Sequence, residues 1–208
     1  MYIILTAAAG LFGSLLMFCG DMLLYFTKDD FKIDGTIKPV IEIMKNISEK
    51  RLRIGGLLGP IAAFFYCVGF FNIWLTAAEE YKIIGFVISL LACFGIILGG
   101  AYHSHFTYFG LIGRCDDKRG LDYVEKNISF LAKIALSIMG IFLLSLAVLI
   151  VFGKTLYPRW FVVFTPLATY FLQSIWEKLP QPYRIILRGG WGNLVFVIYF
   201  TAAFIFSL

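Results

Sequence analysis

Apolar residues run along this chain in long blocks separated by short polar stretches, with no alternation of period two. The blocks fall at 2–26, 54–77, 83–112, 131–152, 160–176 and 191–208. Crossing about 30 Å of hydrocarbon takes about 20 helical residues at about 1.5 Å rise each. The fifth and sixth blocks are short for this, and the third is long enough to tilt or protrude. The pattern predicts an all-α protein, a six-transmembrane-helix bundle forming one domain over 1–208. Pro60 and Pro166 each stand about two turns inside a block, where proline kinks a helix and frees a carbonyl. These matched prolines fit an inverted repeat of three spans, although nothing else links the halves.

The connecting stretches alternate in charge. The first loop carries Lys28, Lys32, Lys38, Lys45, Lys50, Arg51 and Arg53, the third Arg114, Lys118, Arg119, Lys126 and Lys133, and the fifth Lys178, Arg184 and Arg188. The even loops carry only Lys82, Lys154 and Arg159. This asymmetry predicts cytoplasmic odd loops and both termini on the non-cytoplasmic side. Within the first loop, Val40, Ile43, Met44 and Ile47 recur at helical spacing, so 39–53 is expected to be a short amphipathic helix on the cytoplasmic leaflet. Leu121, Val124 and Ile128 hint at a second. Positive-inside topology explains the basic face of 39–53 more simply than lipid recognition does.

Composition sharpens the class. Of 208 residues, 60% are hydrophobic and 15% charged, against about 45–50% apolar in soluble domains. A water-soluble fold cannot hide that much apolar surface, so the lipid bilayer is the expected partner. The opening block has no basic segment before it and is too long for a signal peptide, so it reads as a span. Cys19, Cys67, Cys93 and Cys115 lack metal-like spacing and are expected to be reduced thiols. The basic loops follow from topology, and no nucleic-acid module or nucleotide-binding glycine loop is present, so no nucleic acid partner is expected.

Candidate chemistry comes from the few polar residues inside the blocks. In GGAYHSHF (99–106) the two histidines are two positions apart and point about 200° away from each other on a helix. His103 shares its stripe with Ala92, Gly95, Gly99, Gly100 and Thr107, the small face that packs against other helices. His105 shares a bulky stripe and is expected to face lipid or headgroups. Asp21 likewise lies on a small face, with Gly10, Gly13, Ser14 and Met17. Gln173, Asn193, Arg53 and Arg188 fall at similar depth, toward the cytoplasmic ends of their blocks, whereas the outer half offers little beyond Asn72. This lopsided inventory predicts a pocket near the cytoplasm built from Asp21, His103, Asn193, Gln173, Arg53 and Tyr66, with Tyr66, Tyr102 and Trp191 as aromatic floor.

Each of these residues has a second reading. Asp21 fits a proton- or cation-binding carboxylate, and equally an ion pair with Arg53. His103 fits a ligand-binding imidazole, or one satisfied by a carbonyl that a kink has freed. Asn193 and Gln173 fit interhelical hydrogen bonding. Catalytic zinc takes three protein ligands, and the interior offers one histidine and one aspartate, so no metal and no cofactor is expected.

The stretches GDMLLY (20–25), GGLLGPIAAFFY (55–66), GGAYHSHF (99–106), LYPRW (156–160) and GGWGNLVFVIYF (189–200) resemble, in order and over nearly the whole chain, a bacterial family of small six-span membrane proteins of unknown function. The resemblance implies a bacterial inner-membrane protein and supplies no activity. Three readings stand. One is a cytoplasm-facing pocket that binds or acts on an amphiphilic, lipid-like small molecule. Another is a small transporter or channel using Asp21, and the third a structural or assembly subunit. The residues do not decide between enzyme and non-enzyme, and oligomeric state is not legible.

Overall fold

The structure, a computed structural model, describes residues 1–29 and 37–208; Lys32 of the first loop lies outside them. The protein is all-α. Its elements are α1 (Tyr2–Tyr25), α2 (Lys38–Lys45), α3 (Glu49–Thr76), α4 (Lys82–Gly113), α5 (Lys118–Val151), α6 (Pro166–Tyr170), α7 (Gln173–Trp176) and α8 (Gly190–Ile205). Short 3-10 turns at Glu79–Tyr81 and Arg159–Phe164 precede α4 and α6, and a π-helical turn at Ile185–Gly189 leads into α8. Among the described residues five helical segments are long and apolar enough to cross a membrane: Tyr2–Tyr25, Glu49–Thr76, Glu79–Gly113, Lys118–Val151 and Ile185–Ile205.

Three segments differ from the sequence reading. The block 160–176 is not one helix. Thr165 takes an extended backbone (φ −65°, ψ 149°) and its hydroxyl accepts from the Ala168 amide, with Pro166 as the first helical residue. Proline pushes its predecessor out of the helical region and favours the first position of a new helix, so Thr165–Pro166 starts a helix rather than kinking one. The amphipathic stretch 39–53 is split at Asn46–Ser48, where Ser48 caps α3 by accepting from the Arg51 amide. Met44 is fully buried and Ile47 nearly so, clustered with Leu24, Leu52 and Phe109, so α2 docks on the end of the bundle instead of lying with its apolar face on the leaflet. Helix α5 begins at Lys118, well before the block at 131, and absorbs Leu121, Val124 and Ile128.

Contacts fix the course of the chain. Helix α3 packs between α1 and α4, α5 packs on α4, and α8 lies against α1. At one end Arg51 donates to the Met22 and Phe26 carbonyls (2.7 and 2.8 Å) and Arg114 to the Lys45 carbonyl (2.9 Å). The Tyr25 hydroxyl donates to Gly189 O there (2.8 Å). Arg51 thus adds a second donor to Met22 O, which already accepts from the Phe26 amide, and satisfies Phe26 O just past the end of α1. At the other end the Leu156 amide donates to Thr76 O and Asn72 Nδ2 to Ile3 O. Phe161 stacks on Tyr157 and meets Phe206 edge-on. Both termini therefore share this end. Between Tyr157 and Gly189 the chain returns from one end to the other in short, broken helices.

Tight packing comes from glycine. A Cβ on Gly69 would stand 2.4 Å from the Gly10 Cα, and one on Gly13 2.8 Å from the Tyr66 amide nitrogen. Small residues let membrane helices approach this closely, where dispersion and hydrogen bonding replace the hydrophobic drive. An aromatic core of Tyr66, Phe70, Phe142, Phe196 and Phe200 packs around the contact, with Tyr66 stacked on Phe70 and Phe196 on Phe200 and the other pairs edge-on or tilted, at centroid distances such as 5.1 Å for Phe70–Phe142.

Gly69→Ala should cost about 1–3 kcal/mol by overpacking and lower Tm by several degrees in detergent, whereas Gly140→Ala, whose Cβ would meet nothing within 4 Å, should be neutral or mildly stabilising. At the far end, burial pushes the Tyr157 phenol up to about 12 while its hydroxyl donates to Asn72 Oδ1 at 2.8 Å. A raised phenol holds its proton longer folded than unfolded. Its contribution is full below the usual phenol value of about 10 and lost as pH rises toward about 12. Tyr157→Phe should therefore be less stable than wild type at pH 8, and the gap should narrow in denaturation series carried to pH 11.5.

Candidate functional site

Asp21 sits one turn from the end of α1, on the face shared with Gly10, Gly13 and Gly20, and is 8% exposed. Its carboxylate is held from two sides. Oδ2 accepts from Asn193 Nδ2 of α8 at 2.7 Å, and Oδ1 stands 3.3 Å from His103 Nδ1 of α4. Asn193 Oδ1 in turn accepts from the fully buried Tyr66 hydroxyl of α3 at 3.1 Å. One polar chain thus ties α3, α8, α1 and α4 together.

The imidazole of His103 enters a gap that two glycines keep open: a Cβ on Gly20 would lie 2.8 Å from its Nε2, and one on Gly59 2.9 Å from its Cδ2. Nε2 lies 3.0 Å from Gly55 O, a carbonyl, so this nitrogen carries a hydrogen and donates. The neighbouring carbonyl, Gly56 O, loses its helical partner because residue 60 is proline, and the Ser104 hydroxyl donates to it at 3.0 Å. Both ring nitrogens of His103 are therefore engaged, Nε2 with Gly55 O and Nδ1 with Asp21 Oδ1.

Beside this pair is a cavity of about 460 Å³. Its walls are Asp21, Leu24 and Tyr25 of α1, Ile37 and Val40 at α2, Tyr102, His103 and Phe106 of α4, Arg184, Ile185, Arg188 and Gly189 along the approach to α8, and Gly192 and Asn193 in its first turn. The volume lies in the range of small-molecule sites, and a mostly apolar wall with a few convergent polar groups is their usual chemistry. The π-helical turn shapes one side, and its exposed carbonyl, Gly189 O, is the one Tyr25 satisfies. π-turns break the regular ladder and are frequent at functional sites.

The expected site residues divide accordingly. Asp21, His103 and Asn193 come together on the cavity wall. Tyr66 stands behind Asn193 rather than on the wall. Gln173 lies behind Arg188: with its amide oxygen toward the guanidinium it accepts at 3.1 Å and its amide nitrogen donates to the Tyr170 hydroxyl. Arg188 Nε also donates to Glu177 at 3.1 Å. Arg53 is exposed and pairs with Glu49 on its own helix at 3.3 Å, so the expected pocket position and the Asp21–Arg53 ion pair are both corrected; Arg53 lies on the outward face of α3, away from α1. Tyr102 lines the cavity, whereas Trp191 donates to Tyr170 O and packs on Trp176. His105 bonds its own helix at Ala101 O and meets Tyr108. Sequence reasoning missed Tyr25, Arg184 and the α2 residues; only the contacts of the folded chain bring them to the wall.

Among the described residues no group of three His, Cys, Asp or Glu side chains could hold a metal ion, and the four cysteines are free thiols.

A family model described as "Family of unknown function (DUF6796)" matches residues 2–208. The chain belongs to this family. No curated protein and no solved structure matches it.

The polar chain makes a coupled prediction. Asn193→Leu strands the Tyr66 hydroxyl and one Asp21 oxygen and should cost about 1–3 kcal/mol. Combining it with Tyr66→Phe should cost less than the sum of the two single changes, because the second removes a group the first has orphaned. Thermal denaturation of the four proteins in one detergent measures the difference.

Proposed function

We propose that this protein is a six-crossing bacterial inner-membrane protein that binds an amphiphilic small molecule in the cavity between α1, α4 and the start of α8. The observation that carries the reading is the cavity itself: an apolar wall from Leu24, Ile37, Val40, Phe106 and Ile185, interrupted by a compact polar group at Asp21, His103 and Asn193. The fifth of the six crossings in chain order is the broken passage between Trp160 and Gly189. The end bearing Lys28, Lys45, Arg51, Arg114 and Arg184 faces the cytoplasm by the positive-inside rule, so the cavity lies on the cytoplasmic side and both termini lie outside.

The opposite end supports binding over passage. There Asn72 is fully buried and Tyr157 nearly so, and Asn72 engages Tyr157, Ile3 and Thr6. A transport path needs polar groups along the crossing, and this end spends its polar groups on one another.

Gly192 supplies a clean test. It lines the cavity, and a Cβ there would meet nothing within 4 Å. Gly192→Leu should fill the cavity with little loss of stability. Native mass spectrometry of protein gently extracted from membranes should show a retained amphiphile on wild type and its loss in Gly192→Leu. Equal spectra from two folded proteins would defeat the cavity reading. Orientation is tested separately: alkaline phosphatase fused after Leu208 should be active, and a green fluorescent protein fused there dark.

A further inference from the structure

Resting on that binding reading, we infer that the amphiphile is uncharged, and that Tyr102 selects it by donating its phenolic hydrogen to a neutral oxygen of the ligand, that of an alcohol or an ester. Almost every polar side chain on the cavity wall is already committed. Asp21 Oδ2 accepts from Asn193 at 2.7 Å, and its Oδ1 faces His103 Nδ1 at 3.3 Å. His103 Nε2 is taken by Gly55 O at 3.0 Å, and Asn193 Oδ1 by the Tyr66 hydroxyl at 3.1 Å. Tyr25 donates to Gly189 O at 2.8 Å. Arg188 is held by Glu177 and Gln173, and Arg184 is likewise engaged. Each charged group on the wall is thus occupied within the protein.

Tyr102 is the exception. It lines the cavity from α4, half-buried, with its ring edge-on to Phe106 at 4.9 Å. Among the described residues its hydroxyl has no hydrogen-bond partner. The two rings stand one helical turn apart and both face the cavity. This difference between Tyr102 and its neighbours sets the class of ligand. An ionic head group drawn into the cavity gives up its hydration, and it gains a counter-charge only by breaking a pair that already holds two helices together. A neutral oxygen needs a single donor, and a phenol supplies one. Tyrosine also offers an apolar body beside its polar tip, so the same side chain meets both the oxygen and the start of the chain that follows it. Leu24, Val40, Phe106 and Ile185 line the rest of the path with apolar surface.

The test uses purified full-length protein in a neutral maltoside detergent, with dodecanol, methyl dodecanoate, dodecane, dodecyl phosphate and dodecyltrimethylammonium added at equal mole fraction in the micelle. At least one of the two neutral oxygen-bearing probes should raise Tm and bind about three- to tenfold tighter than dodecane, the range one neutral hydrogen bond gives, and tighter than either ion. Gly192→Leu should abolish the shift. Without any probe, Tyr102→Phe should keep the wild-type Tm, because the hydroxyl supports nothing in the fold. With probes, it should erase the advantage over dodecane and leave dodecane binding unchanged. A Tyr102→Phe protein that loses stability without a probe would show a structural hydroxyl and overturn the inference. So would one that keeps the advantage over dodecane, or that binds dodecane as poorly as the oxygen-bearing probes. Tighter binding of either ion, lost in Gly192→Leu, would overturn the uncharged class and leave the cavity reading standing. If no probe shifts Tm, the amphiphile retained on wild type decides: one without ionised groups supports the inference, an ionic one overturns it, and none at all ends both readings.

Discussion

A carboxylate placed inside an apolar helix must be answered by its neighbours, and much of one end of this bundle is arranged around that requirement. Asp21 belongs to α1, but its partners come from α4 and α8, and Tyr66 of α3 supports one of them. Leaving such a group unanswered in hydrocarbon costs several kcal/mol (about 2.5–3.5 on insertion scales), so four helices are held at one point by a single electrostatic demand. Glycines make the answer geometrically possible. His103 reaches Asp21 only because Gly20 and Gly59 leave no side chain in its way. The close helix approach and the polar contact are therefore one feature: the small faces bring the backbones together, and the polar pair fixes which small faces meet.

The helix set was legible to the extent that it is set by bilayer thickness. Helices α1, α3 and α4 begin or end within a few residues of their apolar blocks, since hydrophobic length dictates them. The interior choice of His103 over His105 also followed from local geometry, because residues two apart on a helix cannot share a face and only one stripe was small. Long-range pairing was illegible. Nothing in the local pattern distinguishes Arg51, which closes the end of α1, from Arg53, which pairs along its own helix. Two residues apart, they too point in opposite directions, but both faces of that turn are mixed. The same limit hid α2: its apolar positions were recognised, but whether they meet lipid or protein depends on Leu24, Leu52 and Phe109, which are remote in sequence.

The block 160–176 shows where hydropathy misleads. It is apolar enough for a span, yet Pro158, Pro166, Pro180 and Pro182 punctuate the passage, and Thr165 caps a fresh helix at Pro166. Backbone groups released by these breaks need partners, and irregular backbone at membrane depth is tolerated where protein covers it. Here Trp191 donates to Tyr170 O and Tyr25 to Gly189 O. The broken passage is what brings Arg184 and Arg188 to the cavity wall. A straight helix through this region would have carried the chain past α1 with a regular stripe; the π-turn at Ile185–Gly189 instead places Arg184, Ile185, Arg188 and Gly189 on one side of the cavity.

The pairing of an aspartate with a histidine invites comparison with acid–base catalysis, but the orientation argues for binding. In a catalytic dyad the carboxylate holds one ring nitrogen and the other faces the substrate. In this protein the second nitrogen is turned into the bundle, onto Gly55 O of α3, and the imidazole face toward the cavity offers no free nitrogen. Ser104 of the same helix is likewise committed to Gly56 O and Gly100 O. A nucleophile needs an unoccupied base within hydrogen-bond reach, and Asp21, His103 and Asn193 are each engaged in holding helices together. What the described wall offers a ligand is shape and an apolar surface around polar groups already engaged with one another, which supports the proposed binding reading.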